Sequence, residues 1–387
     1  MVIALCFAVA IPEGYDLQSI GVAAPRLLPA LHLAKAQTGW VFSASLFGLI
    51  VGAMTGGWLA DRFGRRPVLV GSVAAFGVFS LATILSSDFN SLFLWRLTTG
   101  LGLGGAMPNL IAMAREISSP QRRALTSSMM FAALPVGGAG AALFARYGAH
   151  GWRDIFVLGG VVPLALAALV AWKLPETRPP GAAQAAAPDR NSLHALFGQG
   201  RAPVTLALWA AFILTNIVVY LLLNWLPTLA VAKGLGASSA LFTSVGFNLG
   251  GIAGALLLAL AVDALGPRGP MAAGYGALVA VMIALAFAHG FALIVLLSAA
   301  GGFLVLGLQY VLYGLTPTYY AAVTRGTTAG AAVGVGRVGS ILGPLVGGSL
   351  LGAGVSASGV AFAMAPVALA AGATVLLLTL IGHAHSD

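Results

Sequence analysis

A single cysteine, Cys6, stands among 387 residues. No internal disulfide can form, and no thiol pair can hold a metal. Charge is also scarce, at 7% of residues, where soluble domains carry roughly 25%. The six histidines are His32, His150, His194, His289, His383 and His385. They fall in loops or the tail, and their spacing makes no metal site; His383 and His385 form at most a weak chelating pair. No nucleophile–base pair lies at depth in an apolar segment, so neither an enzyme nor a cofactor is expected. No cleavable signal peptide is evident. The opening apolar run leads into carboxylates instead of a small-residue cleavage site. It has no basic leader, which leaves room for a native start upstream of Met1.

What the chain has is apolar length. Hydrophobic residues make up 59% of it, and the mean hydropathy is +0.97. These values describe an all-α integral membrane protein in the lipid bilayer, whose spans need about 20 apolar residues each. Twelve such spans are expected, at 2–24, 39–60, 67–86, 91–113, 123–145, 154–173, 203–228, 239–262, 271–288, 291–313, 327–353 and 359–382. With both termini cytoplasmic, twelve Lys and Arg fall in inner loops and five in outer ones, as the positive-inside rule asks. The formal charge of +9 therefore reads as topology, and no nucleic-acid partner is expected.

Pro179-Pro180-Gly181 and the alanine-rich run after it have linker composition. The expected organisation is a six-helix bundle at 1–173, a cytoplasmic linker at 174–202 and a second six-helix bundle at 203–387. Leu193–Phe197 could form a short interfacial helix within the linker. The halves look like copies. Asp61 and Asp263, Gly64 and Gly266, Arg66 and Arg268, Pro25 and Pro227, and Arg123 and Arg325 are each 202 positions apart. Two repeated six-helix halves suggest a transporter with its site at the midplane between them, worked by rocking.

Four ionisable residues sit inside apolar spans: Glu13, Asp16, Arg96 and Arg337. A charge at bilayer depth costs roughly 2.5 kcal/mol or more, which makes each a functional candidate. Glu13 and Asp16 lie one helical turn apart. Two close carboxylates repel, and burial favours the neutral form, so one should accept a proton readily. Asp16 is the first candidate for that proton and Glu13 its modulator; a structural salt bridge is the plainer role for Asp16. Arg96 reads either as a substrate or proton relay or as a side chain snorkelling to an interface. Arg337 lies too deep to snorkel. It reads as a binder of a substrate carboxylate or as the ion-pair partner of Asp16 or Glu13.

Asn216, Tyr220 and Asn224 recur every four residues, on one helix face. Gln309, Tyr310 and Tyr313 lie in span ten. Amides, hydroxyls and rings together suit a flat aromatic ligand bearing hydroxyls, so all six are candidate substrate contacts. Trp225, Tyr319 and Tyr320, near span ends, read better as interfacial belt residues.

Gly57-Trp58-Leu59-Ala60-Asp61-Arg62-Phe63-Gly64-Arg65-Arg66 resembles the loop signature of the major facilitator superfamily. The resemblance implies a major facilitator fold and a cytoplasmic gate made by Gly57, Asp61, Arg62, Gly64, Arg65 and Arg66, with Arg123 assigned to it as well. It also implies that Asp61 sits near Thr327 and Thr328 at the start of helix eleven, where a helix N-terminus favours a carboxylate. Glu13-Gly14-Tyr15-Asp16 with the run to Pro25, Gly39–Ala44, Gly100–Asn109, Asn224–Pro227 and Gly334–Pro344 resemble the aromatic acid:proton symporter family within it. That resemblance implies uptake of a small aromatic acid with protons across a bacterial inner membrane. The acid would be of the hydroxyphenylpropionate or hydroxybenzoate type, the carrier would function as a monomer, and proton coupling would rest on Glu13 and Asp16. An exporter on the same fold is the first rival, though span five carries only part of the antiporter glycine signature. A non-transporting receptor is the second.

Overall fold

The structure is a computed structural model. It describes residues 2–117, 123–174, 196–198, 200–320 and 325–381, with the side chains of 2, 115–117, 123–129 and 325–327 outside that description. Most of the expected linker, including much of Leu193–Phe197, lies outside the described residues, as do His194, His383 and His385.

Twelve long helices carry the described chain, and no strand occurs among the described residues. They are α1 Val2–Ala30, α2 Lys35–Phe63, α3 Arg65–Ala82, α4 Phe89–Ile117, α5 Arg123–Tyr147, α6 Trp152–Lys173, α7 Ala202–Ala232, α8 Ala237–Leu265, α9 Arg268–Phe287, α10 Phe291–Leu315, α11 Arg325–Gly352 and α12 Ala357–Ile381. Helices satisfy every backbone donor and acceptor within the segment, which the hydrocarbon interior demands. Nine of them, among the described residues, are long and apolar enough to cross a membrane. Several run past the expected ends. α1 continues through Pro25 to Ala30, and α7 through Pro227 to Ala232. A proline removes one backbone hydrogen bond and bends the helix, but the turns beyond these two are still closed.

By spatial contact the chain divides into two units. One comprises residues 1–187 and 237–245, the other residues 188–236 and 246–387. The 202-residue repeat reappears inside them as packing. A methyl group at Gly48 or Gly52 of α2 would strike the Leu97 or Leu101 carbonyl of α4. At Gly250 and Gly254 of α8 it would strike the carbonyls of Ala299 and Phe303 of α10. Each of these four contacts maps onto its copy at an offset of 202. Absent side chains let the backbones touch, which is how membrane helices gain packing without a hydrophobic drive. Where a glycine is lost in one copy, its partner supplies one. Gly104 packs on Leu49, whereas at the equivalent positions Leu306 packs on Gly251.

The short loops after α2 and α8 also match. Gly64 and Gly266 take φ of 99° and 76°, a region that side-chain-bearing residues rarely adopt. In the next turn Arg66 donates to the Ala171 carbonyl at the end of α6. Its copy Arg268 donates to the Thr379 carbonyl near the end of α12 at 3.1 Å. Each guanidinium meets carbonyls that a helix C-terminus leaves without intrahelical donors.

Gly52→Ala and Gly254→Ala are each expected to destabilise the purified protein by about 1–3 kcal/mol through overpacking. Gly276→Ala, where a methyl meets open space, should leave the thermal midpoint unchanged or slightly raised. Melting curves in detergent test this ordering.

Candidate functional site

In the first unit the four residues of the Glu13–Asp16 stretch are all buried and take separate tasks. Gly14 lets the α5 backbone at Leu134 approach α1 directly. Tyr15 donates its hydroxyl to the Ile155 carbonyl of α6 at 3.0 Å. Asp16 points at α4, where Arg96 meets it with both terminal nitrogens: Nη1 to Oδ1 at 3.1 Å and Nη2 to Oδ2 at 2.9 Å. Nη2 also reaches the Asp16 carbonyl at 3.1 Å and Ser45 Oγ of α2 at 3.4 Å. Ser80 of α3 donates to Asp16 Oδ1 at 3.1 Å. Phe156 of α6 places its ring 5.6 Å from the guanidinium carbon. Both charged side chains are 0% exposed.

This arrangement resolves the energetic oddity of the sequence. A lone buried charge is costly, whereas a bidentate carboxylate–guanidinium pair with further hydroxyl contacts is internally neutral. Arg96 therefore does not snorkel; it closes on Asp16. Asp16, one of the two carboxylates offered as a partner for Arg337, is engaged by Arg96. Glu13 lies one turn earlier on α1 and is 3% exposed.

In the second unit Arg337 of α11 is half-buried, and its Nη1 donates to the Tyr220 hydroxyl of α7 at 3.1 Å. Tyr313 of α10 lies within electrostatic reach of both. Its ring is tilted against Phe212 at 5.3 Å and against Tyr310 at 6.3 Å between centroids. The structure thus brings Arg337, Tyr220, Tyr310 and Tyr313 together. Asn216 and Asn224 serve the backbone: Asn216 Nδ2 donates to the Gly336 carbonyl at 3.1 Å, and Asn224 Nδ2 to the Tyr220 carbonyl at 2.9 Å. Gln309, one turn before Tyr313, is buried.

Neither cluster has a copy. At the 202 offset Glu13, Asp16, Ser80 and Arg96 become Thr215, Val218, Met282 and Ser298. Phe212, Tyr310, Tyr313 and Arg337 correspond to Ala10, Pro108, Ile111 and Pro135. The fully buried ion pair belongs to one unit and the aromatic cluster around Arg337 to the other.

Among the motif residues after α2, Asp61 and Arg62 are exposed. Arg62 lies over the rings of Trp58 and Phe63 at 5.7 and 5.5 Å. Gly64 supplies the positive φ, and Arg65 and Arg66 open α3. A methyl at Gly57 would meet open space. The side chains of Arg123 and Thr327 lie outside the described residues. Two belt assignments change. Trp225 is 0% exposed and donates Nε1 to the Pro344 carbonyl at 3.1 Å. Tyr320 is buried with its hydroxyl 2.9 Å from Thr205 Oγ1. Position near a span end marks depth along the helix, whereas both rings face the protein. Ser45, Ser80, Phe156 and Phe212 were not singled out by sequence. For the two serines the available signal was that a buried Asp–Arg pair needs further partners.

Residues 6–334 match the sequence pattern of the Major Facilitator Superfamily. The chain is 42% identical to the 3-(3-hydroxy-phenyl)propionate transporter of Escherichia coli (strain K12), over 98% of this chain and 93% of that one. It is 34% identical to the gallate transporter of Pseudomonas putida, over 100% of this chain and 92% of the other. Among solved structures, a D-xylose-proton symporter shares the fold with a TM-score of 0.78, at 17% identity over 98% of this chain and 96% of that one.

Arg96→Met alone should destabilise the fold by about 3–5 kcal/mol, because it strands the Asp16 carboxylate in an apolar interior. Arg96→Met combined with Asp16→Leu should recover most of that loss. A double-mutant cycle of unfolding midpoints in detergent checks this; additive losses would contradict a coupled pair.

Proposed function

The chain belongs to the Major Facilitator Superfamily, and on that premise we propose that it imports an aromatic carboxylate together with a proton by alternating access. The substrate is of the hydroxyphenylpropionate or hydroxybenzoate type. The observation that carries this reading is the Arg337–Tyr220 pair beside the rings of Tyr313, Tyr310 and Phe212. A planar guanidinium matches a carboxylate bidentately, and flanking rings match an aromatic body. The names of the relatives, transporters of hydroxylated aromatic acids, support the same substrate class.

The proton is assigned to Glu13. The Asp16 carboxylate is held by a guanidinium and the Ser80 hydroxyl, so a proton arriving there would have to displace Arg96. Glu13 is one turn away and outside that bidentate clasp. Asp16 and Arg96 then act as a fixed charge pair that sets the field around Glu13. An anionic substrate travelling with a proton leaves the net charge of the loaded carrier unchanged, which is the physical route to symport.

Gating is assigned to the motif after α2: Gly57, Asp61, Arg62, Gly64, Arg65 and Arg66, with Arg123. The moving bodies are the six-helix halves 1–173 and 203–387, joined by 174–202. The carrier works as a monomer in a bacterial inner membrane with both termini cytoplasmic. It performs no catalysis.

Proteoliposomes with an alkaline interior should accumulate labelled 3-(3-hydroxyphenyl)propionate or a hydroxybenzoate above equilibrium, and a protonophore should collapse the accumulation. Absence of gradient-driven accumulation of every aromatic acid tried would overturn the reading. Arg337→Lys should raise KM by at least about tenfold, since an ammonium cannot reproduce the planar fork; an unchanged KM would remove Arg337 from carboxylate binding.

A further inference from the structure

Helices α1 and α5 pack in the first unit as α7 and α11 do in the second. A methyl group at Gly137 of α5 would strike the Ile11 carbonyl of α1, and at Gly339 of α11 it would strike the Ile213 carbonyl of α7. The contact of Gly14 with Leu134 has its copy in Asn216 against Gly336. Both correspondences hold at the offset of 202. A third contact differs in its side chains. At Gly138 a methyl would strike the Gln18 amide, so the glycine makes room for that side chain. At the same offset Gly138 and Gln18 become Ser340 and Tyr220. The repeat therefore sets Ser340 against Tyr220, whose hydroxyl accepts from Arg337 at 3.1 Å. Ser340 also follows Arg337 by three residues on α11, a spacing that puts both on one helix face.

Ser340 is 1% exposed, and its Oγ has no hydrogen-bond partner among the described residues. A hydroxyl within a helix can return its proton to the carbonyl one turn back. Ser298 and Thr316 do so, each at 2.7 Å, to the carbonyls of Ile294 and Leu312. Ser340 does not. A buried hydroxyl left without a hydrogen bond is costly, and native structures keep few of them. Packing supplies no reason for it, because the equivalent contact of the first unit is made by a glycine. An anion held by Arg337 supplies one. A carboxylate accepts through two oxygens with about four lone-pair sites, and a guanidinium fork fills two of them. A serine hydroxyl can rotate to fill another, in a charge-assisted bond stronger than a neutral one.

We infer that Ser340 is a further residue of the carboxylate site, donating its hydroxyl to the substrate carboxylate that Arg337 holds. This rests on the substrate class proposed above and adds a donor to its anionic end. Ser340 then reads the group that all aromatic acids share, and it is indifferent to the substitution of the ring.

The test is calorimetric binding of 3-(3-hydroxyphenyl)propionate and 3-phenylpropionate to the purified protein in detergent, with a melting curve of each unliganded variant. Ser340→Ala should raise Kd by about tenfold, the loss of one hydrogen bond to a charged group. The factor should be the same for both acids relative to wild type. The unliganded melting midpoint should stay unchanged or rise slightly, since a hydroxyl without a partner has been removed. An unchanged Kd overturns the inference. A loss confined to the hydroxylated acid overturns it too, because Ser340 would then read the ring. So does a lowered melting midpoint accompanying the weaker binding, which marks a packing role. If Ser340→Ala does not fold, Ser340→Gly decides on the same affinity criteria, since it installs the residue that the first unit carries at 138. Binding of neither acid by wild type would count against the function proposed above, a separate outcome.

Discussion

The constraint on which the first unit depends is that no charge can stand alone in its interior. Asp16 and Arg96 meet it together, and three further helices join them. Ser45 comes from α2, Ser80 from α3 and Phe156 from α6, so five helices converge on one neutral pair. The rest of the Glu13–Asp16 stretch follows from that anchoring. With Asp16 fixed on α4, Gly14 meets α5 and Tyr15 reaches α6. A pair this thoroughly hydrogen-bonded specifies helix rotation as well as depth. Glu13, one turn away, is the neighbouring acid to which the proposed function assigns the proton.

The two units show how one scaffold can carry two chemistries. Their backbones approach at equivalent glycines, and their connecting loops turn at equivalent glycines with positive φ. The exchange of Gly104 against Leu49 for Leu306 against Gly251 keeps the local volume while moving the large side chain to the other helix. Packing therefore survives divergence because it depends on summed size at a contact. The functional side chains face no such rule, and none of Glu13, Asp16, Arg96, Arg337, Tyr310 or Tyr313 is repeated. On the proposed function, this separation would let the proton and substrate sites be tuned apart.

Much of the architecture was legible before any coordinates. Apolar length counts helices because lipid forbids unsatisfied backbone, and five loop matches at one offset announced a repeat that the glycine contacts then extended. The four charges within the spans could be found because each is expensive. Their pairing could not. Hydropathy reports depth along a helix but says nothing of azimuth, so Arg337 was offered as an ion-pair partner for Asp16 and Arg96 read as a relay or a snorkelling side chain, until α4 was seen to present Arg96 to Asp16. The same blindness to azimuth placed Trp225 and Tyr320 in a lipid belt. It also hid Ser45 and Ser80, whose importance comes only from what faces them. Helix ends were read short at Pro25 and Pro227 because proline signals a break in sequence, whereas here each helix continues past it.

The division of labour between Asp16 and Glu13 is the central claim, and counterflow against uphill uptake measures it most directly. Glu13→Gln should exchange labelled 3-(3-hydroxyphenyl)propionate for unlabelled substrate across proteoliposomes at rates near wild type, because exchange needs binding and alternation only. The same variant should fail to accumulate substrate when a pH gradient is imposed. Gradient-driven accumulation by Glu13→Gln equal to that of wild type would contradict the account and return the proton to another group.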